Sequence, residues 1–324
     1  MLTDTYGRTV DYLRISITDR CDLRCTYCIP KGFTEFEKPL HWLSFDDIER
    51  VVRQFALLGT RRFRLTGGEP LLRKNIVNLV QRLKAIDGVD DLSLSTNATQ
   101  LEHYAHDLKQ AGLDRLNISL DSLSQDNLHK IVGSDAQAKI MRGLKAAKNA
   151  GFEKTKINMV ALAGINEHEI EKMVAFCIEN SFILRLIELM PMGSTAQGHQ
   201  YLNLQPIIEK LSQTFQLAPT TKTYGGGPAR YWQNKEESFL MGYITPLSQH
   251  FCQTCNRVRL SVDGTLYMCL GHEHQYALAP LLKAQASDAE LRQAIEHAVQ
   301  LKPLKHEFIE KPKKLIRVMS MTGG

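Results

Sequence analysis

From Asp11 to Met190 the hydrophobic and polar positions switch regularly between two patterns. Short runs of β-branched and apolar residues predict strands, and stretches with an apolar face every three or four residues predict helices. The predicted strands are Tyr12–Ile17, Arg62–Thr66, Asp91–Ser95, Arg115–Leu120, Lys154–Val160 and Ile183–Met190. The predicted helices are Phe45–Leu58, Ile76–Ile86, Leu101–Ala111, Ala138–Ala150 and Glu167–Asn180.

Strands that alternate with helices in this way must pair in parallel, through right-handed crossovers. The pattern therefore predicts an α/β fold, and it leaves open a doubly wound sheet or a closed or partial barrel. The alternation stops near Gly193. Beyond it we predict a helix over Leu204–Phe215, short strands with a hairpin at Asp263-Gly264, and a helix over Ser287–Gln300. We place the boundary within 193–230 and expect a core of residues 1–220 and a C-terminal lobe of residues 221–324.

The composition narrows the class of protein. The chain has 324 residues, of which 43% are hydrophobic and 23% are charged, and it contains no apolar run of 18 residues. Its N-terminus lacks the features of a secretory signal, so we expect a soluble, cytoplasmic protein with no membrane partner. The formal net charge of +5 is spread along the chain. It predicts no nucleic-acid arm and mildly favours an anionic ligand.

Three of the seven cysteines, Cys21, Cys25 and Cys28, have the spacing C-x3-C-x2-C directly after the first predicted strand. Three thiolates from one loop leave one metal position without a protein ligand, as in a cubane iron-sulfur cluster with an open iron. A structural zinc site is the alternative, but His41 lies outside the loop at no regular ligand spacing. An odd number of cysteines in a reducing compartment also favours metal ligands over disulfides.

A second set, Cys252, Cys255 and Cys269, lies in the predicted C-terminal lobe. On spacing alone it fits a second open cluster about as well as a zinc site completed by His250, His272 or His274. Arg257 and Arg259 lie just after Cys255, on one face of a short predicted strand. Arginine makes bidentate contacts to phosphate and carbonyl oxygens, so this pair favours a nucleotide ligand.

The first cysteine set, with Tyr27 before its last member, resembles the signature of the radical S-adenosylmethionine superfamily. The segment Thr66–Pro70 is similar to the superfamily's glycine-rich stretch, which meets the methionine amino group. The resemblance implies that S-adenosylmethionine chelates the fourth iron of a [4Fe-4S] cluster, and that an electron from the reduced cluster releases a 5′-deoxyadenosyl radical. It also implies a partial (β/α)6 barrel of the TIM type.

The order of the two cysteine sets is similar to that of the GTP 3′,8-cyclase family, which catalyses the first step of molybdenum cofactor biosynthesis. This resemblance runs from Leu13 to the terminal glycines. It implies a lobe that closes the barrel and carries a second [4Fe-4S] cluster, whose free iron binds the guanine of GTP. The residues implied to bind GTP are Arg14, Arg64, Ser95, Lys156, Arg257 and Arg259. Those implied to bind S-adenosylmethionine are Tyr27, Gly68, Ser119 and Met190.

The family reaction would remove the ribose 3′ hydrogen of GTP, join C3′ to C8, and then add one electron and one proton, giving 3′,8-cyclo-7,8-dihydro-GTP. The implied partners are an unidentified electron donor, a downstream cyclic pyranopterin monophosphate synthase and a second copy of the chain. A peptide-modifying radical enzyme would carry more downstream cysteines than Cys252, Cys255 and Cys269. The third hypothesis is a non-catalytic zinc protein.

Three further positions carry expectations. Ala98 replaces a glycine of the family's Thr-Thr-Asn-Gly stretch, and alanine resists a positive φ. Cys177, on an apolar helix face, is expected to be a buried core thiol. Gly323 and Gly324 match a tail that enters the active site in the family, although a flexible end is the simpler interpretation of two terminal glycines.

Overall fold

Strands and helices follow one another in the order that the pattern predicts. The computed structural model describes residues 1–192, 198–222, 224–310 and 317–322. The strands of its first part are β1 (Tyr12–Ser16), β2 (Arg62–Thr66), β3 (Asp91–Thr96), β4 (Arg115–Ser119), β5 (Lys156–Ala161) and β6 (Ile183–Glu188). The helices between them are α1 (Phe45–Leu57), α2 (Ile76–Lys84), α3 (Leu101–Gln110), α4 (Gln125–Val132), α5 (Gln137–Asn149) and α6 (Ile170–Glu179).

The C-terminal part adds α7 (Gln205–Thr214), β7 (Leu217–Thr220), β8 (Arg230–Asn234), β9 (Leu240–Ile244), β10 (Arg257–Leu260), β11 (Thr265–Tyr267), β12 (Gln275–Ala277), α8 (Ala279–Lys283), α9 (Asp288–Gln300) and α10 (Met319–Thr322). Single 3₁₀ turns lie at Pro39–His41, Pro70–Leu72, Glu167–Glu169 and Cys252–Thr254. The hairpin predicted at Asp263-Gly264 joins β10 to β11.

The six predicted strands are all present, and their ends differ from the prediction by at most two residues. The sequence pattern missed α4, which separates β4 from α5. Its signals are short-range ones: the Ser124 side chain caps the first turn, and Gly133 ends the helix at a φ of 72°. A capping box begins α1, since the Ser44 and Asp47 side chains each accept a backbone hydrogen bond from the other residue.

All twelve strands form one sheet in the order β12-β11-β10-β1-β2-β3-β4-β5-β6-β9-β8-β7. Strands β1 to β6 pair in parallel, and β10 and β9 add parallel neighbours at the two edges. This confirms a partial barrel of six β/α units with a C-terminal lobe on both of its edges. Because the lobe continues the same sheet, the division at residue 220 stays a prediction.

The strands of the barrel have two chemically different faces. One face is apolar and belongs to the main hydrophobic core, with Leu13 and Ile15 of β1 as examples. The other face is polar: Arg14, Arg64 and Arg185 lie between apolar neighbours and line a cavity. Buried parallel strands normally read as continuous apolar runs, so this alternation marks a barrel interior that serves a ligand.

None of the described helices is long and apolar enough to cross a lipid bilayer.

Candidate active site

The first cysteine set lies at the carboxyl end of β1, where ligand sites of parallel sheets collect. The backbone N–H of Cys28 donates to the carbonyl of Cys25 at 2.9 Å, which turns the loop back on itself. The three thiols line one cavity. Burial, with the nearby acidic groups and thiols, raises the pKa of Cys21 and of Cys28 to about 12. Three ionised thiols therefore need a cationic partner here.

The glycine pair after β2 lets this loop approach closely. The N–H of Gly68 donates to the carbonyl of Thr18 at 2.8 Å, and the N–H of Glu69 donates to that of Arg20 at 2.7 Å. A Cβ at Gly67 would lie 2.1 Å from the Thr18 oxygen, and one at Gly68 would lie 2.2 Å from the Arg20 oxygen. Neither position accepts a side chain, so the two glycines seat the cysteine loop against β2.

Two buried carboxyl groups stand beside the thiols. Glu69 accepts hydrogen bonds from the Asn97 N–H at 2.7 Å and the Thr96 hydroxyl at 2.8 Å, and Asp121 accepts one from the Tyr27 hydroxyl at 2.6 Å. Burial raises the pKa of Glu69 to about 7 and that of Asp121 to about 6. This cavity is therefore prepared for a ligand with positive charge.

All four residues predicted to bind S-adenosylmethionine, Tyr27, Gly68, Ser119 and Met190, line this first cavity. Ser95, predicted to bind GTP, lines it as well. Glu69, Asn97 and Asp121 were not predicted. Glu69 lies inside the glycine-rich segment Thr66–Pro70, and its position directly after two glycines was the signal that could have indicated a site residue.

The second cysteine set is assembled from two places in the chain. Cys252 belongs to the 3₁₀ turn that precedes β10, and Cys269 follows β11. The three thiols share a second cavity with Phe251, Phe308 and Met268. Burial alone would raise the pKa of Cys255, but the charges of Lys302 and Arg257 outweigh it and lower that pKa to about 6.

Four of the predicted GTP residues, Arg14, Arg64, Arg257 and Arg259, line the second cavity. Arg185 of β6, which the sequence prediction missed, completes the group. Its signal was an arginine in the middle of an otherwise apolar strand. Burial and the neighbouring arginines lower the pKa of Arg14 well below its usual range, and that of Arg185 and of Arg259 to about 10.

Two donors in this group have no acceptor in the described part of the chain. The Nε atoms of Arg14 and Arg257 are buried without a hydrogen-bond partner among the described residues. Buried donors in folded proteins are nearly always satisfied, and a cluster of buried guanidinium groups repels itself. A polyanion in the cavity would supply both the missing acceptors and the missing negative charge.

Lys156, at the start of β5, does not line the second cavity. It lines a separate pocket with Lys154, Arg115 and Tyr224, and its ammonium donates to the Tyr224 carbonyl. Burial and the nearby arginines lower its pKa to about 5. The predicted contact of Lys156 with GTP stays a prediction.

The two main cavities meet inside the barrel. Asn158, Ile187 and Met190 line both of them. A group held by the first cysteine set and a ligand held by the arginines would therefore face each other across one shared wall.

The C-terminal segment reaches this junction. Met319 and Ser320 line the first cavity, and Arg259 donates to the carbonyl of Thr322 at 3.2 Å. Gly323 and Gly324 lie outside the described residues. Cys177, predicted to be a core thiol, is completely buried in the hydrophobic core.

Both cysteine sets suit a cubane cluster. Among the residues that the structure describes, no three His, Cys, Asp or Glu side chains are arranged to hold a metal ion directly. A cubane cluster requires its cysteines to lie further apart than the ligands of a single metal ion, because each cysteine binds a different iron atom of the cluster. Each set places three thiols around one cavity, with space beyond them for a further ligand. The residues present therefore fit two [4Fe-4S] clusters, each with one open iron.

Comparison with known protein families matches two successive parts of the chain. Residues 15–177 match the Radical SAM superfamily, and residues 182–308 match the family Molybdenum Cofactor Synthesis C. A protein of Ectopseudomonas mendocina (strain ymp) named GTP 3′,8-cyclase is 41% identical over 328 residues, which cover 100% of this chain and 98% of that protein. The chain belongs to the GTP 3′,8-cyclase family.

Other relatives agree with this membership. A GTP 3′,8-cyclase of Pseudomonas putida (strain KT2440) is also 41% identical, over 329 residues that cover 100% of this chain and 98% of that protein. Among solved structures, SuiB of Streptococcus suis bound to S-adenosylmethionine has a TM-score of 0.63 at 16% identity and covers 88% of this chain and 68% of that chain. That likeness supports the radical S-adenosylmethionine fold alone.

Proposed function

We propose that this chain converts GTP to 3′,8-cyclo-7,8-dihydro-GTP, the first step of molybdenum cofactor biosynthesis, with two [4Fe-4S] clusters and S-adenosylmethionine as cofactors. The observation that carries the proposal is the shared wall of Asn158, Ile187 and Met190 between a cysteine-lined acidic cavity and a cysteine-lined cationic cavity. Family membership supplies the reaction, and this geometry suits it.

In the first cavity, Cys21, Cys25 and Cys28 would hold the first cluster, and Glu69 would receive the cationic amino group of S-adenosylmethionine. When bound, this cluster and S-adenosylmethionine supply the hydrogen-abstracting 5′-deoxyadenosyl radical. The Tyr27 hydroxyl, fixed by Asp121 at 2.6 Å, closes one side of the cavity. Apolar Ile187 and Met190 face the junction and keep water from it.

In the second cavity, Cys252, Cys255 and Cys269 would hold the second cluster, whose open iron is suited to the guanine. The buried guanidinium groups would bind the triphosphate. Anchoring GTP at both ends fixes the ribose between them, beside the shared wall. Because binding already removes the translational and rotational freedom of GTP, this entropy need not be lost during the reaction itself.

Lys156 and Ser95 have different places in this proposal. Arg64 and Arg185 lie near enough to Lys156 to lower its pKa, so the positive charge of the second cavity extends toward the start of β5. We assign Lys156 to the far end of the triphosphate. Ser95 lines the first cavity with Ser119, and its predicted contact with GTP stays a prediction.

We also propose that the enzyme works in the cytoplasm as a homodimer, receives electrons from a separate donor, and passes its product to a cyclic pyranopterin monophosphate synthase. A core of residues 1–220 and a lobe of residues 221–324 remain our division of the chain. The pairing of β9 with β6 and of β10 with β1 makes these two parts one working unit.

An anaerobic assay tests the function directly. Iron-reconstituted protein with dithionite, S-adenosylmethionine and GTP should yield 5′-deoxyadenosine and the cyclised nucleotide. A variant with Cys252, Cys255 and Cys269 replaced by Ala should lose cyclisation and keep the first cluster, whereas Cys177→Ala serves as the matched control. Formation of 5′-deoxyadenosine with GTP unchanged would contradict the substrate, and full activity of the triple variant would contradict the role of the second cluster.

A further inference from the structure

Lys302 is a buried lysine beside the second cysteine set, 2% exposed, in the segment that follows α9. Its ammonium makes three hydrogen bonds, and an ammonium has three donors. Two go to the carbonyl oxygens of Arg257 at 2.9 Å and Met268 at 2.8 Å, and the third goes to the Cys255 sulfur at 3.4 Å. All the donors of this side chain are therefore committed to the residues around the cysteines.

The two carbonyl contacts fix the strand ends that carry the ligands. Arg257 begins β10 two residues after Cys255, and Met268 directly precedes Cys269. A second buried cation secures the same region, because Arg8 donates to the carbonyl of Cys252 at 2.8 Å and to that of Pro303 at 2.7 Å. The ligand loops and the segment that begins at Lys302 thus hold each other in place.

The charge of Lys302 also needs a partner. In the described part of the chain its ammonium forms no ion pair with a carboxylate, whereas Arg8 is paired with Asp4 at 2.6 Å. A buried charge is kept only where an opposite charge compensates it. Among the described residues, Cys255 has the only sulfur to which Lys302 donates a hydrogen bond, and the charge of Lys302 also acts on Cys252 and Cys269, so a metal-bound thiolate is its natural counter-charge.

We infer that Lys302 is a positioning residue for the second cluster, which orients Cys255 and raises the cluster's reduction potential. Hydrogen bonds to ligating sulfur and net charge near a cluster set that potential, and a nearby positive charge favours the state with one more electron. This inference rests on the proposed function, since it presumes a cluster at Cys252, Cys255 and Cys269.

The experiment isolates the second cluster in the full chain by replacing Cys21, Cys25 and Cys28 with Ala. In that parent, Lys302→Met keeps an unbranched side chain, one atom shorter, and removes its charge, and Lys302→Arg keeps the charge. Lys305→Met is the matched control, because Lys305 lies three residues further on with its side chain 56% exposed. Iron content and an anaerobic redox titration followed by electron paramagnetic resonance are measured for each protein.

We expect Lys302→Met to lower the ratio of reduced to oxidised cluster about tenfold at a fixed potential, which is a shift of about 59 mV for one electron. Lys302→Arg should lie closer to the parent, and Lys305→Met should match it. An unchanged potential in iron-loaded Lys302→Met would overturn the inference. If Lys302→Met fails to assemble the cluster, retention of iron by Lys302→Arg supports the role of charge, and equal loss in both variants refutes it. A parent that binds no iron would instead refute the second cluster itself.

Discussion

The cavity of Cys21, Cys25 and Cys28 and the cavity of Cys252, Cys255 and Cys269 offer three thiols each in opposite electrostatic surroundings. Burial raises the pKa of Cys21 to about 12, with Glu69 and Asp22 nearby adding to the rise. In the second cavity burial also raises the pKa of Cys252 and of Cys269, but the charges of Lys302 and Arg257 outweigh burial at Cys255 and lower its pKa to about 6. The same ligand count thus serves two kinds of site.

The difference follows from the charges of the two ligands. S-adenosylmethionine carries a sulfonium and an ammonium group, and buried carboxyl groups of the first cavity complement them. GTP carries a triphosphate, and buried guanidinium groups of the second cavity complement it. Under the proposed function, each cavity supplies the charge that its ligand lacks, so each cavity would also disfavour the ligand of the other.

The largest expected effect comes from removing one cysteine of each set, because the two sets are proposed to serve different steps. Cys25→Ala should abolish both 5′-deoxyadenosine and cyclised product, because the first cluster is lost. Cys255→Ala should abolish cyclisation alone. Iron should fall from about eight to about four atoms per chain in each variant. Iron analysis with chromatography of both products checks this, and 5′-deoxyadenosine formation by Cys25→Ala at the wild-type rate would contradict it.

A second test asks whether backbone packing is what seats the first set. Gly68→Ala would place a methyl group 2.2 Å from the Arg20 oxygen. The loop must shift, at a cost of about 1–3 kcal/mol, and we expect poor retention of the first cluster. Gly227→Ala is the control, since its Cβ would meet nothing nearer than 3.8 Å. Equal iron content in the two reconstituted variants would argue against this role of Gly68.

A third test probes charge in the second cavity. Arg257→Met removes one buried guanidinium and should weaken GTP binding by about 10- to 100-fold, the usual effect of losing a hydrogen bond to a charged group. Binding of S-adenosylmethionine should not change. Arg53→Met, on the exposed face of α1, is the control. Calorimetric titration with each ligand checks the prediction, and an equal loss for both ligands would remove the distinction between the cavities.

A fourth test measures how ligand binding in the first cavity depends on pH. Burial raises the pKa of Glu69 to about 7, so this carboxyl is mostly ionised above pH 7 and mostly protonated below it. Since the ionised form attracts an ammonium group, affinity for S-adenosylmethionine should rise up to about tenfold per unit as the pH increases toward 7, and then level off. Glu69→Gln should flatten this profile. A wild-type profile with no change between pH 5.5 and 8 would exclude Glu69 as the partner.

The smallest expected effect concerns the loop after β3. Ala98 adopts a φ of 64°, a conformation that costs an L-residue about 1–2 kcal/mol. Ala98→Gly relieves this strain. It also increases the conformational entropy of the unfolded chain and removes a buried methyl group, and both of these effects destabilise the fold, so the contributions nearly cancel. We expect the free energy of unfolding to change by less than about 1 kcal/mol and GTP turnover to stay the same. Chemical denaturation and the activity assay would expose a larger effect.

Much of the fold was predictable because it depends on local patterns. The six barrel strands and the helices α1 and α9 follow from apolar periodicity and from caps such as Ser44 and Ser287. Helix α4 was not predicted, because its eight residues give only a weak periodic signal. The choice between a doubly wound sheet and a barrel depends on which strands are neighbours, and no local pattern contains that information.

The site divides in the same way. The sequence by itself determined the two cysteine sets, the Gly67-Gly68 turn and the Arg257 and Arg259 pair, because their chemistry lies in residue types at short spacings. Only the tertiary structure decided that Arg185 joins Arg14 and Arg64, that Ser95 lies with the first cysteine set, and that Lys302 contacts Cys255. Parallel strands bring distant residues into register, and burial then sets their charge states, so these relations exist only once the sheet has formed.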